Sequence, residues 1–323
     1  MQIYHVIPIS IRQDLMVKPQ CIAVSLKTFL SGFIITMIGS LKTNIKGLFL
    51  VCLFLISTLP AIASEKMEIR VVNTIGMEFV LIPPGAFVMG SPAEEAHRDV
   101  SELQHPVTIS RPFYMQTSEV TVEQWQTVMG KRFIGRKKGT GDMPVVKVSW
   151  HDCIKFIDKL NQITGDRYML PTEAQWEYAA RAGAATAYFW GDQIECSQAM
   201  FANNPKKYDH CVSANVVAGL EPGQPAPVKS YLPNAWGLYD MHGNVWEWCV
   251  DLFSRYHASP VVDPRETHSG HHRVRRGGSW FGPGYSIRSA NRAHGHPMSR
   301  LQNTGFRLVM VPPGLPEKAD QSP

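Results

Sequence analysis

The side chains best suited to metal chemistry in this sequence are histidines in its C-terminal part. His268, His271 and His272 lie in one short stretch, and His294 and His296 follow further along. Imidazole nitrogens at such spacings can bind zinc, copper or iron. The first three lie in a polar stretch that contains glycine, and no acidic residue is fixed beside them. Solvated loop histidines are therefore favoured over a metal site.

Ser279 is the candidate nucleophile, because it ends the tight turn Gly277 to Ser279. A catalytic serine also needs a histidine base and an acid that orients this base, and the sequence establishes no such set. A structural hydrogen bond is therefore favoured for Ser279. Three later arginines, Arg288, Arg292 and Arg307, are predicted to form buried ion pairs or hydrogen bonds, because one guanidinium group satisfies several acceptors.

The folded part of the chain is expected to begin after residues 1–63, which have the order of an export signal. Lys42 and Lys46 precede the apolar run Leu48 to Leu59, and the small-residue stretch Ala61 to Ala63 follows. This order is typical of a signal peptide cleaved near Ala63. The run is short for a membrane span, which needs about 20 apolar residues. We expect a periplasmic or secreted protein, with an uncleaved N-terminal membrane anchor as the alternative.

Composition is that of a globular protein that is not built for nucleic acids. The 323 residues are 44% hydrophobic and 18% charged, which excludes disordered and fibrous classes. Residues 1–63 hold five of the 32 basic and one of the 27 acidic residues, so 27 basic and 26 acidic residues remain after cleavage. A nearly neutral domain offers no basic surface for nucleic acid.

Four cysteines follow the signal segment: Cys153, Cys196, Cys211 and Cys249. An exported chain meets an oxidising compartment, where disulfides form. Four cysteines allow three pairings, and the sequence does not choose among them. We favour Cys196–Cys211, because both residues lie in a polar loop region. The alternative is that some of the four are buried thiols.

Short helices and strands are predicted along the rest of the chain. Thr121 begins one helix that ends at Met129, a capping box at Ser149 and Asp152 opens a second over Cys153 to Ile163, and a box at Thr172 and Gln175 opens a third that ends at Ala182. Met77 to Ile82 and Ala86 to Gly90 have the character of strands joined by a Pro-Gly turn, which predicts a hairpin.

No long helix is predicted after Ala184, where short apolar pieces alternate with Gly, Pro, Asn and Asp. The connection from Gly191 to Leu238 is too long for an unstructured linker inside a compact domain. A metal ion or a disulfide is expected to hold it in place.

Ordered sequence blocks from about Gly76 to Val311 resemble the formylglycine-generating enzyme family, also called sulfatase-modifying factor domains. The resemblance implies a single compact α+β domain related to C-type lectins, with little regular secondary structure, over residues 64–312, followed by a polar tail at 313–323. The blocks are Gly76 to Val80, Met89-Gly90, Glu119 to Thr121, Pro144-Val145, Val148 to Trp150, Leu170 to Glu177, Ala202-Asn203, Pro227-Val228, Asn234 to Trp248, Arg276 to Trp280, Arg288 to Arg292 and Gly305 to Arg307.

This resemblance implies a calcium site in the segment from Tyr239 to Trp248. Asp240 and Glu247 would supply side-chain oxygens, and Gly243 and Val245 would supply carbonyl oxygens. Calcium takes six to eight hard oxygen ligands, which this set can provide in part. The alternative is that the two acids only fix the turn through hydrogen bonds.

A second calcium site of the family uses an asparagine and an aspartate in one loop. Asn203 matches the asparagine, but Leu220 falls where the aspartate belongs. This possible second site therefore lacks one of its expected ligands.

The family's enzymatic activity depends on two cysteines that follow the Gly-Gly-Ser turn and bind copper(I). In this sequence Gly282 stands at the first position, and Ser286 or Ile287 at the second. Copper(I) requires soft thiolate ligands, which none of these residues offers. The resemblance therefore predicts the scaffold without formylglycine-generating activity, a pseudoenzyme.

Two functions follow from the resemblance and the missing cysteines. The favoured one is an exported, calcium-binding regulatory or accessory factor of the cell envelope, in a signalling or secretion system, that binds a protein or peptide. The alternative is a metal-dependent oxidoreductase that matures a small molecule or peptide, as in siderophore-chromophore formation, with a metal held by the histidines. The predicted binding cleft is formed by Trp246, Ser279, Trp280, Phe281, Tyr285 and His294.

Overall fold

The structure is a computed structural model that describes residues 69–130 and 141–315. The predicted signal peptide, its cleavage site near Ala63 and the tail from residue 316 onward lie outside these ranges. The described residues belong to one compact unit, Lys66–Pro323. Within them, no helix combines the length and the apolar character that crossing a bilayer requires.

The described residues form four α-helices: α1 (Val122–Met129), α2 (Trp150–Thr164), α3 (Glu173–Arg181) and α4 (Val212–Val217). The first three match the predicted helices, and each begins with a capping box in which the cap hydroxyl and the side chain three residues later satisfy exposed backbone amides. Gly130 and Gly165 follow α1 and α2 with positive φ, whereas α3 ends at Ala182 with φ 45°.

Twelve short strands in the described residues form three sheets. The five-stranded sheet has the order β1-β2-β5-β12-β6, the four-stranded sheet β10-β9-β7-β11 and the three-stranded sheet β3-β4-β8. Only the pairs β4–β8 and β7–β11 are parallel. The strands are β1 (Arg70–Val72), β2 (Glu78–Ile82), β3 (Gly85–Met89), β4 (His105–Ile109), β5 (Phe113–Gln116), β6 (Tyr168–Met169), β7 (Trp246–Leu252), β8 (Val261–Val262), β9 (Arg273–Arg276), β10 (Ala293–Gly295), β11 (Thr304–Gly305) and β12 (Val309–Met310).

The predicted hairpin between β2 and β3 is wrong, although both strands exist. β2 pairs with β1 and β5, whereas β3 pairs with β4 in a different sheet. β2 is buried along most of its length, so it needs a neighbour on each side. Pro83 and Pro84 lack backbone N–H groups and keep the chain extended, which carries it from one sheet to the next instead of reversing it.

The apolar face of α2 fills the larger hydrophobic core. Phe156 stacks on Trp125 at 5.2 Å between ring centroids and meets Phe306 edge-on at 5.4 Å. Trp248 of β7 lies in the same cluster and is fully buried. These contacts fix β7, and with it the preceding segment, against the helices.

The predicted disulfide Cys196–Cys211 is confirmed, with 5.3 Å between the two Cα atoms. It lies within the long connection after α3 and packs in a small apolar cluster with Phe201 and Ile287. Cys153 and Cys249 are buried free thiols. A disulfide therefore holds this connection, as its length led us to expect.

The predicted arginine ion pairs are also confirmed, and they are buried. Arg292 binds Glu173 through two hydrogen bonds of 2.7 and 2.8 Å, and Arg288 binds Glu102 through two of 2.9 Å. We call the set formed by Arg181, Arg276, Arg292, Glu173 and Glu177 the arginine–glutamate network. In it, Arg276 pairs with Glu177, and Arg181 lies 2.9 Å from the same carboxylate.

Candidate functional site

The segment from Asp240 to Glu247, which we call the acidic loop, has an unusual backbone. Asp240, Gly243 and Asn244 all have positive φ, at 56°, 94° and 61°. A Cβ atom on Gly243 would lie 2.3 Å from the carbonyl oxygen of Met200, so only glycine fits there. The Gly243 N–H donates to Gly277 and the Asn244 N–H donates to Met200. These two bonds tie the loop, which lies between α4 and β7, to Met200 and to Gly277.

Two carboxylates at this loop are buried without enough partners. Oδ2 of Asp240 accepts the Lys229 backbone N–H at 2.7 Å, but its Oδ1 is buried and has no hydrogen-bond partner. Glu119 is fully buried, and neither of its carboxylate oxygens has a partner. A buried carboxylate without a partner is strongly unfavourable. At neutral pH these carboxylates therefore require either protonation or a nearby cation.

Glu247, the other predicted acidic ligand, has its own partners. Its carboxylate accepts two hydrogen bonds of 2.7 Å from Arg307 and one of 2.7 Å from Trp176 Nε1. The side-chain amine of Lys229 is bound to Glu78 instead. Arg307 thus balances one of the three charges of Glu119, Asp240 and Glu247. Two negative charges remain when all three acids are ionised, which is the charge that one divalent cation neutralises.

The pKa values of Glu119 and Asp240 reflect this excess of negative charge. Burial raises the pKa of Glu119 well above its ordinary value, and the nearby charge of Asp240 raises it further. Burial raises the pKa of Asp240 to about 6, although three groups lower it: the Lys229 amide, the charge of Arg307 and the neighbouring Glu119 carboxyl, which can donate to Asp240 when it is protonated. The atoms available as metal ligands are all oxygens, which are the ligands that calcium prefers. The residues present therefore fit a calcium ion.

Our sequence reasoning missed Glu119 as a member of this site. It was noticed only as part of the block Glu119 to Thr121, directly before α1. The available signal was an acidic residue next to the apolar Val120, which is itself fully buried. Its closeness to Asp240 arises from tertiary packing, because the two residues are far apart in sequence.

The structure does not favour the possible second calcium site. Nδ2 of Asn203 donates to the carbonyl oxygens of Glu221 and Gln224 at 2.9 and 3.0 Å. Oδ1 of Asn203 is buried without a partner and is the one side-chain oxygen left free at this position. Leu220, at the position of the expected aspartate, offers no oxygen and packs against an apolar cluster. These two residues therefore supply one side-chain ligand and no negative charge, which is less than calcium takes.

A cavity of about 900 Å³ opens beside residues 283–285, and we call it the cleft. Aromatic hydroxyls and charged side chains of both signs line it. Tyr285 is partly exposed there and stacks on His97 at 4.7 Å between ring centroids. The main polar and aromatic residues of the lining are Glu94, Glu95, His97, Tyr188, Asp192, Lys207, Tyr208, His210, Tyr285 and Arg288.

The positions matched to the family's cysteines lie next to this cleft and offer no metal ligand. Gly282 has no side chain, and its Cβ would lie 2.7 Å from Ser286 Oγ. The Ser286 hydroxyl donates to the Pro283 carbonyl oxygen at 2.7 Å. Ile287 is fully buried. A single hydroxyl is therefore the only polar side-chain group at the three positions.

Of the six residues predicted to form one cleft, only Tyr285 lines the cavity. Ser279 and Trp280 are buried, because the Trp280 backbone is hydrogen-bonded to both Asn244 and Asn203. Ser279 Oγ accepts a structural hydrogen bond from Asn303 at 3.1 Å. The others lie away from the cavity lining: Phe281 packs against Trp280, Trp246 lies near Arg275, and His294 packs on Phe253.

Three of the five candidate histidines, His272, His294 and His296, lie near one another but do not form a group of ligands close enough to hold a metal. The rings of His272 and His294 are 5.0 Å apart, and those of His272 and His296 are 6.3 Å apart. His268 and His271 are exposed. Within residues 69–130 and 141–315, the one group of three or more histidine, cysteine or acidic ligands close enough to hold a metal is Cys196, His210 and Cys211.

Comparison with known proteins identifies the family. The model of the sulfatase-modifying factor enzyme 1-like domain matches residues 65–311. The chain belongs to this family. The formylglycine-generating enzyme of Streptomyces coelicolor is 42% identical over 180 residues, covering 53% of this chain and 54% of the relative. The chain thus spans about half the length of that relative.

Two solved structures share the fold of this family member. PvdO from Pseudomonas aeruginosa has a TM-score of 0.63 and 26% identity, over 75% of this chain and 97% of its own. Treponema denticola variable protein 1 has a TM-score of 0.63 and 27% identity, over 76% of this chain and 100% of its own. The predicted fold class, a single compact α+β domain of this type with little helix, is confirmed.

Proposed function

We propose that this sulfatase-modifying factor domain binds calcium at the acidic loop and holds a protein or peptide segment in its cleft without forming formylglycine. The observation that carries the proposal is the set of three buried carboxylate oxygens, on Glu119 and Asp240, that have no partner. Protonation or a cation must compensate them at neutral pH. A divalent cation also neutralises the two charges that Arg307 leaves unbalanced.

In this proposal Glu119 and Asp240 supply side-chain oxygens to the ion, and Gly243 and Val245 supply carbonyl oxygens. Glu247 adds negative charge and is oriented by Arg307 and Trp176. Bound calcium would link the end of β5 to the loop before β7, which are distant in sequence. Its role would be structural, since it would hold these two segments of the domain together.

The proposed lack of formylglycine-generating activity depends on positions 282, 286 and 287. Soft thiolates bind copper(I), whereas a backbone without a side chain, a hydroxyl that already donates and a buried aliphatic group do not. The Streptomyces coelicolor relative is named for that activity. We propose that this chain keeps the cleft and uses it for binding.

The lining of the cleft supports a protein or peptide as the bound partner. Tyr188, Tyr208 and Tyr285 combine an apolar ring with a polar hydroxyl, a combination enriched at protein interfaces. We further propose that the protein is exported to the periplasm or secreted, and acts as an accessory or regulatory factor of the cell envelope. The near-neutral charge of residues 64–323 argues against a nucleic acid partner.

Calcium removal tests the first part of the proposal. Adding EGTA to the purified protein should lower its melting temperature, because an ion that binds only the folded state stabilises it, by about 2.7 kcal/mol at 100 times its dissociation constant. Magnesium added after EGTA should restore less stability than calcium. An unchanged melting temperature would refute calcium binding at this loop.

Site-specific cross-linking in cells tests the second part. A photoreactive phenylalanine derivative at position 285 should capture a discrete partner. The same group at Leu232, which is exposed and outside the cleft lining, should not. Equal capture at both positions would contradict binding in the cleft. Conversion of a sulfatase-derived cysteine peptide to its aldehyde by the purified protein would contradict the proposed loss of activity.

A further inference from the structure

The disulfide Cys196–Cys211 lies beside a histidine whose position the proposed function does not explain. A ring nitrogen of His210 and the two sulfur atoms all lie within 4.8 Å of one another. His210 also lines the cleft, together with its neighbours Ala202 and Tyr208. Two sulfurs and one imidazole thus lie together, with the imidazole at the cleft.

We propose that reduction of this disulfide creates a zinc site formed by Cys196, His210 and Cys211. Zinc bonds are about 2.3 Å to sulfur and 2.0 Å to nitrogen. The ligand atoms of a tetrahedral zinc ion are therefore about 3.3–3.8 Å apart. Once the S–S bond is broken, the two sulfurs have to move apart to reach this separation, while the His210 nitrogen already lies within 4.8 Å of both. Two thiolates and one imidazole form a known set of three protein ligands for zinc, with a fourth position open to water or a ligand.

The two states exclude each other. In the oxidised protein the sulfurs are bonded at 2.00 Å and cannot hold a metal. Binding is thus controlled by the redox state of one bond. The oxidised state holds the loop covalently, and the reduced state holds it through zinc.

The backbone around the cluster has support other than the S–S bond. The Cys211 N–H donates to Ala202 at 3.1 Å, and the Ala202 N–H donates to Gly282 at 2.8 Å. The Cys211 carbonyl oxygen accepts from Asn215 at 2.9 Å. These bonds do not involve sulfur, so they keep the Cys211 backbone in place when the two sulfurs are reduced.

The two cysteines of the disulfide differ in solvent exposure, and this difference decides which sulfur a reductant attacks first. Cys211 is fully buried, Cys196 is half-buried and His210 is exposed. A thiolate of a dithiol reductant attacks the sulfur of Cys196, the S–S bond breaks, and Cys211 leaves as a thiolate that takes up a proton. The second thiolate of the reductant then displaces Cys196. The reductant becomes a disulfide, and the protein gains two thiols.

Zinc binding then releases protons, because the metal binds thiolates. Each of the two thiols loses its proton to solvent as its sulfur bonds to zinc. Zinc affinity should therefore increase with pH. The other thiols of the described residues, Cys153 and Cys249, belong to no group of three ligands close enough to hold a metal.

The test uses the full chain at a fixed calcium concentration, reduced with a phosphine that does not itself offer a thiol. Cobalt(II) is titrated first, because its thiolate complexes absorb in the visible and near ultraviolet, and zinc is then added to displace it. We expect one equivalent of cobalt with thiolate bands in the reduced protein. The oxidised protein should show none. Holding calcium constant separates this result from the calcium proposal.

Two variants locate the ligands. His210→Ala keeps the disulfide and should weaken zinc binding by at least about tenfold, and Cys211→Ser should abolish it. The matched controls, His268→Ala and a variant with Cys21, Cys52, Cys153 and Cys249 replaced by Ser, should bind like the unmodified protein. Absence of binding in the reduced protein would overturn the proposal. Equal weakening by His268→Ala and His210→Ala would overturn it as well.

Discussion

The acidic loop and the arginine–glutamate network both bury several charges, but they differ in how many of their carboxylate oxygens have a hydrogen-bond donor. In the network, the carboxylates of Glu173 and Glu177 are bound by Arg276, Arg292 and Arg181. At the acidic loop, Arg307 pairs with Glu247 only, and Glu119 has no partner. Each carboxylate oxygen of Glu173 and Glu177 thus has a donor within the protein, whereas three carboxylate oxygens of Glu119 and Asp240 have none.

This difference separates a paired charge cluster from the proposed calcium site within one fold. Burial alone does not distinguish them, since Glu119, Glu177 and Glu247 are all fully buried. What distinguishes them is whether each oxygen has a donor. Buried ion pairs contribute little net stability when complete, and are costly when one partner is missing.

The largest effect is expected when the complete network is broken. Arg276→Met leaves Glu177 with fewer donors in the interior, which should cost about 3–5 kcal/mol of unfolding free energy. Urea unfolding measures this cost. The loss should be the same with calcium and with EGTA, because the network does not hold the ion. A loss that depends on calcium would show that the two clusters are coupled.

The acidic loop also contains a buried histidine, His242, whose two ring nitrogens both have hydrogen-bond partners while the ring is neutral. His242 Nδ1 donates to the Ile287 carbonyl at 2.7 Å, and Nε2 accepts the Phe189 N–H at 3.2 Å. Burial lowers its pKa to about 4 from 6.5. A lowered pKa gives stability that is complete above pH 6.5 and is lost as the pH falls towards 4.

The pH dependence of His242→Gln tests this effect. Glutamine can accept and donate the same two bonds but does not titrate. The stability lost between pH 7 and 4.5 should be smaller in the variant by about 2–3 kcal/mol. Urea unfolding at the two pH values measures it, and other acid groups cancel between the two proteins. Equal losses in both proteins would show that His242 does not titrate in this range.

Removing one charge from the incomplete cluster should have an effect that depends on calcium. Glu119→Gln should lower stability by about 1–2 kcal/mol when calcium is present, since it removes an ionised ligand. In EGTA the variant should be at least as stable as the unmodified protein, because it removes an unbalanced charge. Thermal unfolding in both buffers checks this reversal. The same loss in both buffers would remove Glu119 from the site.

The smallest effect is expected at an exposed ion pair. Arg300 binds Asp152 at 2.7 and 2.9 Å, but its side chain is 44% exposed. Arg300→Ala should cost less than about 1 kcal/mol, because water and salt screen the pair. A cost as large as that of Arg276→Met would show that burial does not explain the difference between the clusters.

Local sequence signals predicted the parts of this fold that are local in origin. The capping residues Thr121, Ser149 and Thr172 located three helices, since each cap acts within four residues. The disulfide was predicted from its polar surroundings. The family resemblance supplied the acidic loop and the missing thiols at Gly282 and Ser286.

Features that depend on tertiary packing were not predictable in this way. The pairing of β2 and β3 was wrong, because strand partners are chosen across the whole sheet. Glu119 was missed, since nothing near it in sequence indicates Asp240. Trp280 was placed in the cleft because aromatic residues suit interfaces, but backbone bonds to Asn203 and Asn244 hold it inside.

The proline pair between β2 and β3 has a consequence for solubility. β3 is an edge strand of the three-stranded sheet, and its Val88 is 53% exposed. An open edge of this kind invites pairing with a strand of another molecule, which leads to aggregation. Pro83 and Pro84 stand directly before β3 and offer no amide hydrogen to an incoming strand. Pro83 and Pro84 carry the chain between the two sheets. At the start of β3 they also disfavour pairing of this edge with a strand of another molecule.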